Sequence, residues 1–150
     1  MEQRKLGNTG LSVSVMGLGC GGASQLGLRK GGMHEQAVKV VRAAIDAGVN
    51  LIDTAYVYGT ESAVGEAITE VPRDRLVLST KAPPAISSKR QSPALLQAAL
   101  EDSLAKLRTD YVDIYFLHGV SADDYDYSLE VLYPALQKFR RQGKIRHIGI

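Results

Sequence analysis

The sequence predicts an α/β fold built on a parallel sheet, and three features predict it. Short runs rich in Val, Ile and Leu alternate with longer segments whose apolar residues recur at three- and four-residue spacing. Glycines, prolines and capping hydroxyls fall between them, where strands and helices stop. Three of the apolar runs end in a chemically able residue: Asp53, Lys81 and His118. Strict alternation of strand and helix forces parallel strands joined by right-handed crossovers. Two architectures satisfy that pattern, a doubly wound open sheet and an eight-stranded βα barrel.

Asn8-Thr9-Gly10 sits between Arg4-Lys5-Leu6 and the alternating Leu11-Ser12-Val13-Ser14-Val15, which predicts a small hairpin over 4–15. Val15 to Gly19 predicts a first buried strand. It leads into a loop with Gly21, Gly22, Gly27, Gly31 and Gly32, expected to be mobile and long enough to cover a site. Val38, Val41, Ala44 and Ile45 mark the apolar face of a helix from Glu35 to Ala47, stopped by Gly48. In the second strand, Val49, Leu51 and Ile52 suit burial on both faces and Asp53 ends the run. Thr60 is placed to N-cap a helix carrying Val64, Ala67 and Ile68, which ends before Pro72.

The third strand, Leu76 to Thr80, ends at Lys81 before a Pro83-Pro84 loop. Ser92-Pro93 is an N-cap followed by proline at the first helical position, with Leu96, Ala99, Leu100, Ser103, Leu104 and Leu107 as the stripe behind it. Tyr111 to Leu117 is the fourth strand, ending at His118-Gly119. A polar loop over Asp123-Asp124-Tyr125-Asp126 then leads to a helix through Leu132, Leu136 and Phe139, closed by Gly143, its start blurred by Pro134. Ile145 to Ile150 begins a fifth strand.

The bulk numbers fit one soluble globular domain spanning 1–150: 150 residues, 45% hydrophobic, 23% charged, 6% aromatic. A formal net charge of +2, with both signs interspersed, argues against a nucleic-acid binder. The basic residues Lys138, Arg140, Arg141, Lys144 and Arg146 fit a solvated helix end and a following edge. Cys20 is the only cysteine, so no intrachain disulfide forms, and it is expected to be a small buried hydrophobe. His34 and His147 show no ligand spacing with each other or with Cys20, so no metal is expected. No apolar run has the length of a membrane span and no signal peptide is evident, which makes the cytoplasm the expected compartment.

Gly17-Leu18-Gly19-Cys20-Gly21-Gly22 formally matches the glycine fingerprint of dinucleotide-binding sheets. That fingerprint needs a helix opening on the third glycine and an acid about twenty positions further on. Here the helical pattern waits until Glu35, and the strand-end acid, Asp53, lies well beyond that distance. The stronger signal is Asp53, Tyr58, Lys81 and His118. Parallel strands share one carboxyl-end face, so these groups from three adjacent strands converge at one mouth. Singly, each has a plain structural explanation: an ion pair, a loop anchor, a strand-end histidine. Together they suit proton delivery to an oxygen. A phenol has a pKa of about 10, and a neighbouring ammonium lowers it. Lys81 is expected to tune Tyr58 in this way, with Asp53 holding Lys81 and His118 donating to the same substrate oxygen.

The chain resembles the N-terminal half of an aldo-keto reductase. The residues that carry the likeness are Leu6-Gly7-Asn8-Thr9-Gly10-Leu11, Asn50 through Gly59, Ser79-Thr80-Lys81, Asp110 to Ile114 with His118, and Gly143 through Ile150. The resemblance implies a (β/α)8 TIM barrel, of which this is the half with the hairpin, strands one to five and four helices. It implies Tyr58 as general acid, Lys81 and Asp53 as its partners, His118 as the orienting residue, and hydride supplied by NADP(H) or NAD(H). Gly21, Gly22 and Asp53 are then expected near the nicotinamide, and the substrate is a small carbonyl or sugar.

A complete barrel takes about 250 residues, so the 150-residue chain is expected to be a fragment or truncated product of a longer reductase. In the family the loops after strands seven and eight hold the cofactor's phosphates. Asp123 to Tyr127 and Tyr133 to Lys138 resemble the branch with sugar and aldose dehydrogenases. Two other functions fit the same fold: a cofactor-binding regulatory subunit of a membrane channel, and an inactive or dimerising half-barrel.

Overall fold

The computed structural model describes residues 1–87 and 89–150. The chain opens with an antiparallel hairpin, β1 (Gln3–Lys5) and β2 (Ser12–Ser14), followed by β3 (Gly17–Gly19) and α1 (His34–Asp46). β4 (Leu51–Asp53), α2 (Glu61–Ala67), β5 (Val77–Ala82), the two-residue strands β6 (Ala85–Ile86) and β7 (Lys89–Arg90), and α3 (Pro93–Leu107) come next. β8 (Val112–Leu117), α4 (Ala122–Tyr127), α5 (Tyr133–Arg141) and β9 (Ile145–Gly149) complete it.

The main sheet has the order β3-β4-β5-β8-β9, every pair parallel. Each new strand therefore lies beside the one before it, and the order never reverses. The helices follow suit: α1 packs on α2, α2 on α3 and α3 on α5, a single layer on one face. A doubly wound sheet requires a reversal of order and helices on both faces. The arrangement is that of the barrel, present here as its first half.

Burial explains the two layers. Leu18, Ile52, Leu78, Tyr115, Leu117 and Ile145 meet the helical layer in one large core. The opposite face carries Leu51, Val77, Ile114 and Phe116, joined by Val13, Leu6 and Leu11 of the hairpin. The hairpin is fastened beneath that face by Asn50. Its Oδ1 accepts from Ser14 N at 2.7 Å, its Nδ2 donates to Ser12 O at 2.9 Å, and its own N–H donates to Ser14 Oγ at 3.0 Å. A second fastening joins the start of β8 to β5 and β9. Buried Asp113 accepts from Arg73 at 2.7 Å, Arg146 at 3.0 Å and Leu78 N at 2.9 Å, while the Tyr111 ring lies 4.1 and 4.2 Å from the two guanidinium carbons. Arg146 is exposed on the edge strand, as expected of the basic cluster, while also reaching Asp113, and Lys144 pairs with Glu101 at 2.7 Å.

Several local expectations change. Val15 and Met16 are 52% and 64% exposed, not buried, because they lie in the link between β2 and β3 and the strand starts only at Gly17. Lys81 lies inside β5, which runs two residues past the expected end. Thr60 does not cap α2 with its side chain; its hydroxyl is taken by Thr54 at 2.8 Å. The polar stretch Asp123 to Asp126 is helical, capped by Ser121 Oγ, which accepts from Asp124 N at 3.3 Å. Pro134 is accommodated by a π-helical stretch over Ser128–Leu132, which relieves the clash its ring would cause in a regular α-helix. By contrast, α3 begins as expected, with Ser92 Oγ accepting from Leu95 N at 3.3 Å, and stops at Arg108 in the left-handed region (φ 54°). No helix among the described residues is long and apolar enough to cross a membrane.

Candidate active site

The carboxyl ends of β4, β5 and β8 bring Asp53, Lys81 and His118 to one end of the sheet. Register does the placing: Gly19, Asp53 and Ser79 are cross-strand neighbours, and Lys81 pairs with Phe116 one step further along. Side chains alternate along a strand, so Ser79 and Lys81 share a face while Thr80 points to the helices. On that face Lys81 Nζ donates to both carboxylate oxygens of Asp53 at 2.6 Å and to the carbonyl of Thr54 at 2.7 Å. Ser79 Oγ donates to Asp53 Oδ1 at 2.7 Å.

Tyr58 ends a 3-10 turn over Tyr56–Tyr58, which Gly59 closes in the left-handed conformation (φ 71°). Its hydroxyl lies 3.4 Å from His118 Nε2, the two rings meeting edge to face with centroids 5.5 Å apart. Lys81 Nζ sits 5.3 Å from the centre of the Tyr58 ring. All four predicted residues are therefore in one cluster. Gly21 belongs to it in a way the sequence did not suggest: a Cβ there would stand 2.5 Å from a Tyr58 ring carbon, so the ring leans directly on the Gly21 backbone. Gly22, with φ 73°, faces open space.

The electrostatics depart from expectation at Tyr58. Its pKa is raised, first by burial and then by the Asp53 carboxylate. No lowering by Lys81, whose ammonium lies 5.3 Å from the ring centre, offsets those two causes. The phenol is held in its acid form. His118 is shifted down, by burial first and then by Lys81, against an opposing pull from Asp53, so its imidazole is neutral at physiological pH. Burial foremost, with Asp53, pushes the Cys20 thiol up to about 12, which bears out its reading as an inert hydrophobe.

Ser79 and the Thr54 carbonyl were missed as members of the cluster. The alternation along β5 was the available signal for Ser79, since it shares a face with Lys81. A cavity of about 760 Å³ opens at the other end of the strands, lined by Gln3, Asn50, Arg75, Asp113 and Arg146 among others. It touches none of the four residues, and convergence of functional groups rather than cavity size locates the site.

Comparison with known proteins bears on the fold and the family. The model of the aldo/keto reductase family matches residues 17–150. The chain belongs to the aldo/keto reductase family. This aldo/keto reductase chain is 37% identical over 156 residues to L-galactose dehydrogenase from Arabidopsis thaliana, covering 100% of itself and 48% of that protein. Among solved structures it superposes on the holo form of aldo-keto reductase AKR11C1 from Bacillus halodurans with a TM-score of 0.83 and 31% identity, covering 100% of itself and 50% of that chain. A thermostable aldo-keto reductase, Tm1743, described in complex with the inhibitor epalrestat, gives 0.81 and 32%, covering 99% and 53%. The aldo/keto reductase chain thus spans about half the length of the relatives it matches.

Proposed function

We propose that the protein at its native length is a cytoplasmic NADP(H)- or NAD(H)-dependent oxidoreductase that interconverts a small carbonyl compound and its alcohol, with Tyr58 as general acid and base. The observation that carries this reading is the Tyr58 hydroxyl standing 3.4 Å from His118 Nε2, above the Lys81–Asp53 pair. An aldose is the favoured substrate class, supported by the likeness to a plant L-galactose dehydrogenase.

The residues fit a nicotinamide ring. Gly19, the sheet neighbour of Asp53, and Gly22 have nothing within 4 Å of where a side chain would begin, which leaves open ground beside the Asp53 carboxylate. Gly21, Gly22 and Asp53 are the residues of this chain that would hold that end of the cofactor. When bound, the cofactor supplies or accepts the hydride. A carbonyl oxygen receiving hydride at its carbon becomes an alkoxide that needs a proton. Tyr58, kept protonated by burial and Asp53, is the donor. Neutral His118 orients the same oxygen through its ring nitrogen. Lys81, Asp53 and Ser79 hold each other in one charge-assisted network beneath the phenol, so the acid need not be repositioned during the reaction.

The deciding experiment is NADPH consumption by the native-length protein with p-nitrobenzaldehyde and with aldoses. Tyr58→Phe should lower kcat by roughly a hundredfold to ten-thousandfold while NADPH still binds. A phenylalanine variant turning over at the normal rate would overturn the assignment. Tight NADPH binding with no turnover by the unaltered protein would favour a regulatory subunit instead.

A further inference from the structure

Behind the candidate site, on the helix-facing side of the sheet, lies a second set of polar groups that the proposed chemistry does not use. Thr54, Thr60, Glu61 and Thr80 are all at most 1% exposed. Thr54 Oγ1 and Thr60 Oγ1 are 2.8 Å apart, and Thr80 Oγ1 donates to Glu61 Oε1 at 2.7 Å. Each partner sits next to a site residue in the chain. Thr54 follows Asp53, Thr80 precedes Lys81, and Thr60-Glu61 follow Gly59, which closes the Tyr58 turn. The downstream end of that turn is therefore tied at two successive residues, once to the end of β4 and once to β5.

We infer that Glu61 is a positioning residue: by accepting from Thr80 it locks the Tyr58 turn to the strand that carries Lys81. The inference rests on the reading of Tyr58 as the proton donor. Stability alone does not account for an acid here. Among the described residues Glu61 Oε2 has no hydrogen-bond partner, and neither do the hydroxyls of Ser103 and Tyr115, also buried in this core. A buried carboxyl with an unmet oxygen is costlier than an aliphatic side chain of similar volume, so the acid at this position points to a geometric task. Burial raises its pKa, against the pull of the Thr80 hydroxyl that donates to it. Glutamine is the nearest substitute in shape, and it keeps an oxygen for Thr80 to donate to.

The geometry of the proposed reaction sets the expected effect, since a displacement of about 1 Å in a reacting group costs on the order of a hundredfold in rate. The native-length protein is assayed with NADPH and p-nitrobenzaldehyde as Glu61→Leu, Glu61→Gln and Thr80→Val. Glu61→Leu should lose about tenfold to a hundredfold in kcat, with KM for the aldehyde and the Kd for NADPH staying within about threefold. Glu61→Gln, which keeps an acceptor for Thr80, should restore most of the rate. Thr80→Val should reproduce the loss, and the Glu61→Leu/Thr80→Val double variant should be no slower than either single one.

Wild-type kcat in a folded Glu61→Leu protein, a loss carried by KM instead of kcat, or a failure of glutamine to rescue would each overturn the assignment. If Glu61→Leu does not fold, the near-isosteric Thr80→Val decides by the same criteria. Tyr58→Phe run alongside separates the two readings. A slow phenylalanine variant with a normal Glu61→Leu removes this inference alone, whereas a normal phenylalanine variant removes both.

Discussion

Tyr58 holds its proton more tightly than a free phenol, because burial and the Asp53 carboxylate both disfavour the phenolate. The consequence for reduction is a rate that stays level through neutral pH and falls only above the ordinary phenol pKa of about 10. Alcohol oxidation needs the phenolate and should climb over that same range. A pH profile of kcat/KM in both directions tests this, and a limb near neutrality would contradict it. Asp53→Asn removes one of the two causes of the shift, so it should move the limb to lower pH even as it loosens Lys81. Gly21→Ala should lower kcat by about tenfold or more, because the methyl would displace the Tyr58 ring that now rests on the Gly21 backbone. Much of this scale was legible in advance. Asp53, Lys81 and His118 end apolar runs, and parallel strands can only bring such ends together. The sign of the Tyr58 shift was not legible, since it depends on burial and on the nearness of the Asp53 carboxylate, which only the fold fixes. Glu61 was hidden as well, because a glutamate in the first turn of a helix already has an ordinary explanation in the helix dipole.

At the level of elements, the joints between neighbouring strands carry testable energy. Asp113 is fully buried and accepts from two guanidinium groups and a backbone N–H. Asp113→Ala leaves those donors without their acceptor and should cost about 3–5 kcal/mol, read as a drop in the urea midpoint at unchanged slope. Ser92→Ala removes the side-chain cap of α3 and should cost about 1 kcal/mol in the same assay. Helix α3 was legible because Ser92-Pro93 and its apolar stripe agree with one another. Helix α4 was not, because its aspartates suggested a solvated loop; Ser121, which caps it, is the signal that could have found it. The strands β6 and β7 are two residues each, too short for alternation to reveal.

Taken whole, the main sheet has two edges unpaired among the described residues, β3 and β9, with an apolar inner face, and Val15, Met16 and Ile150 are exposed nearby in the chain. Open edges beside apolar surface promote association. The 150-residue chain on its own should therefore sediment with a mass that rises with concentration, and a strict monomer throughout would count against that reading of its edges. Strand order was implicit in the alternation of strand and helix. The exposure of β3 was not, since a barrel strand carries the same apolar residues whether or not its neighbour is present.

Because every strand of the main sheet is hydrogen-bonded to its immediate predecessor, the contacts that build the molecule are made between segments close together in the chain. A polypeptide emerging from the ribosome could add each βα unit to a template already formed, without waiting for a distant partner. The loop closed is of similar length at every step, so its entropy cost does not grow as the sheet extends. The same property makes the order of assembly vectorial: the Asp53–Tyr58 segment takes shape before Lys81 exists, and the ion pair that fixes the site closes only when the third strand of the sheet arrives.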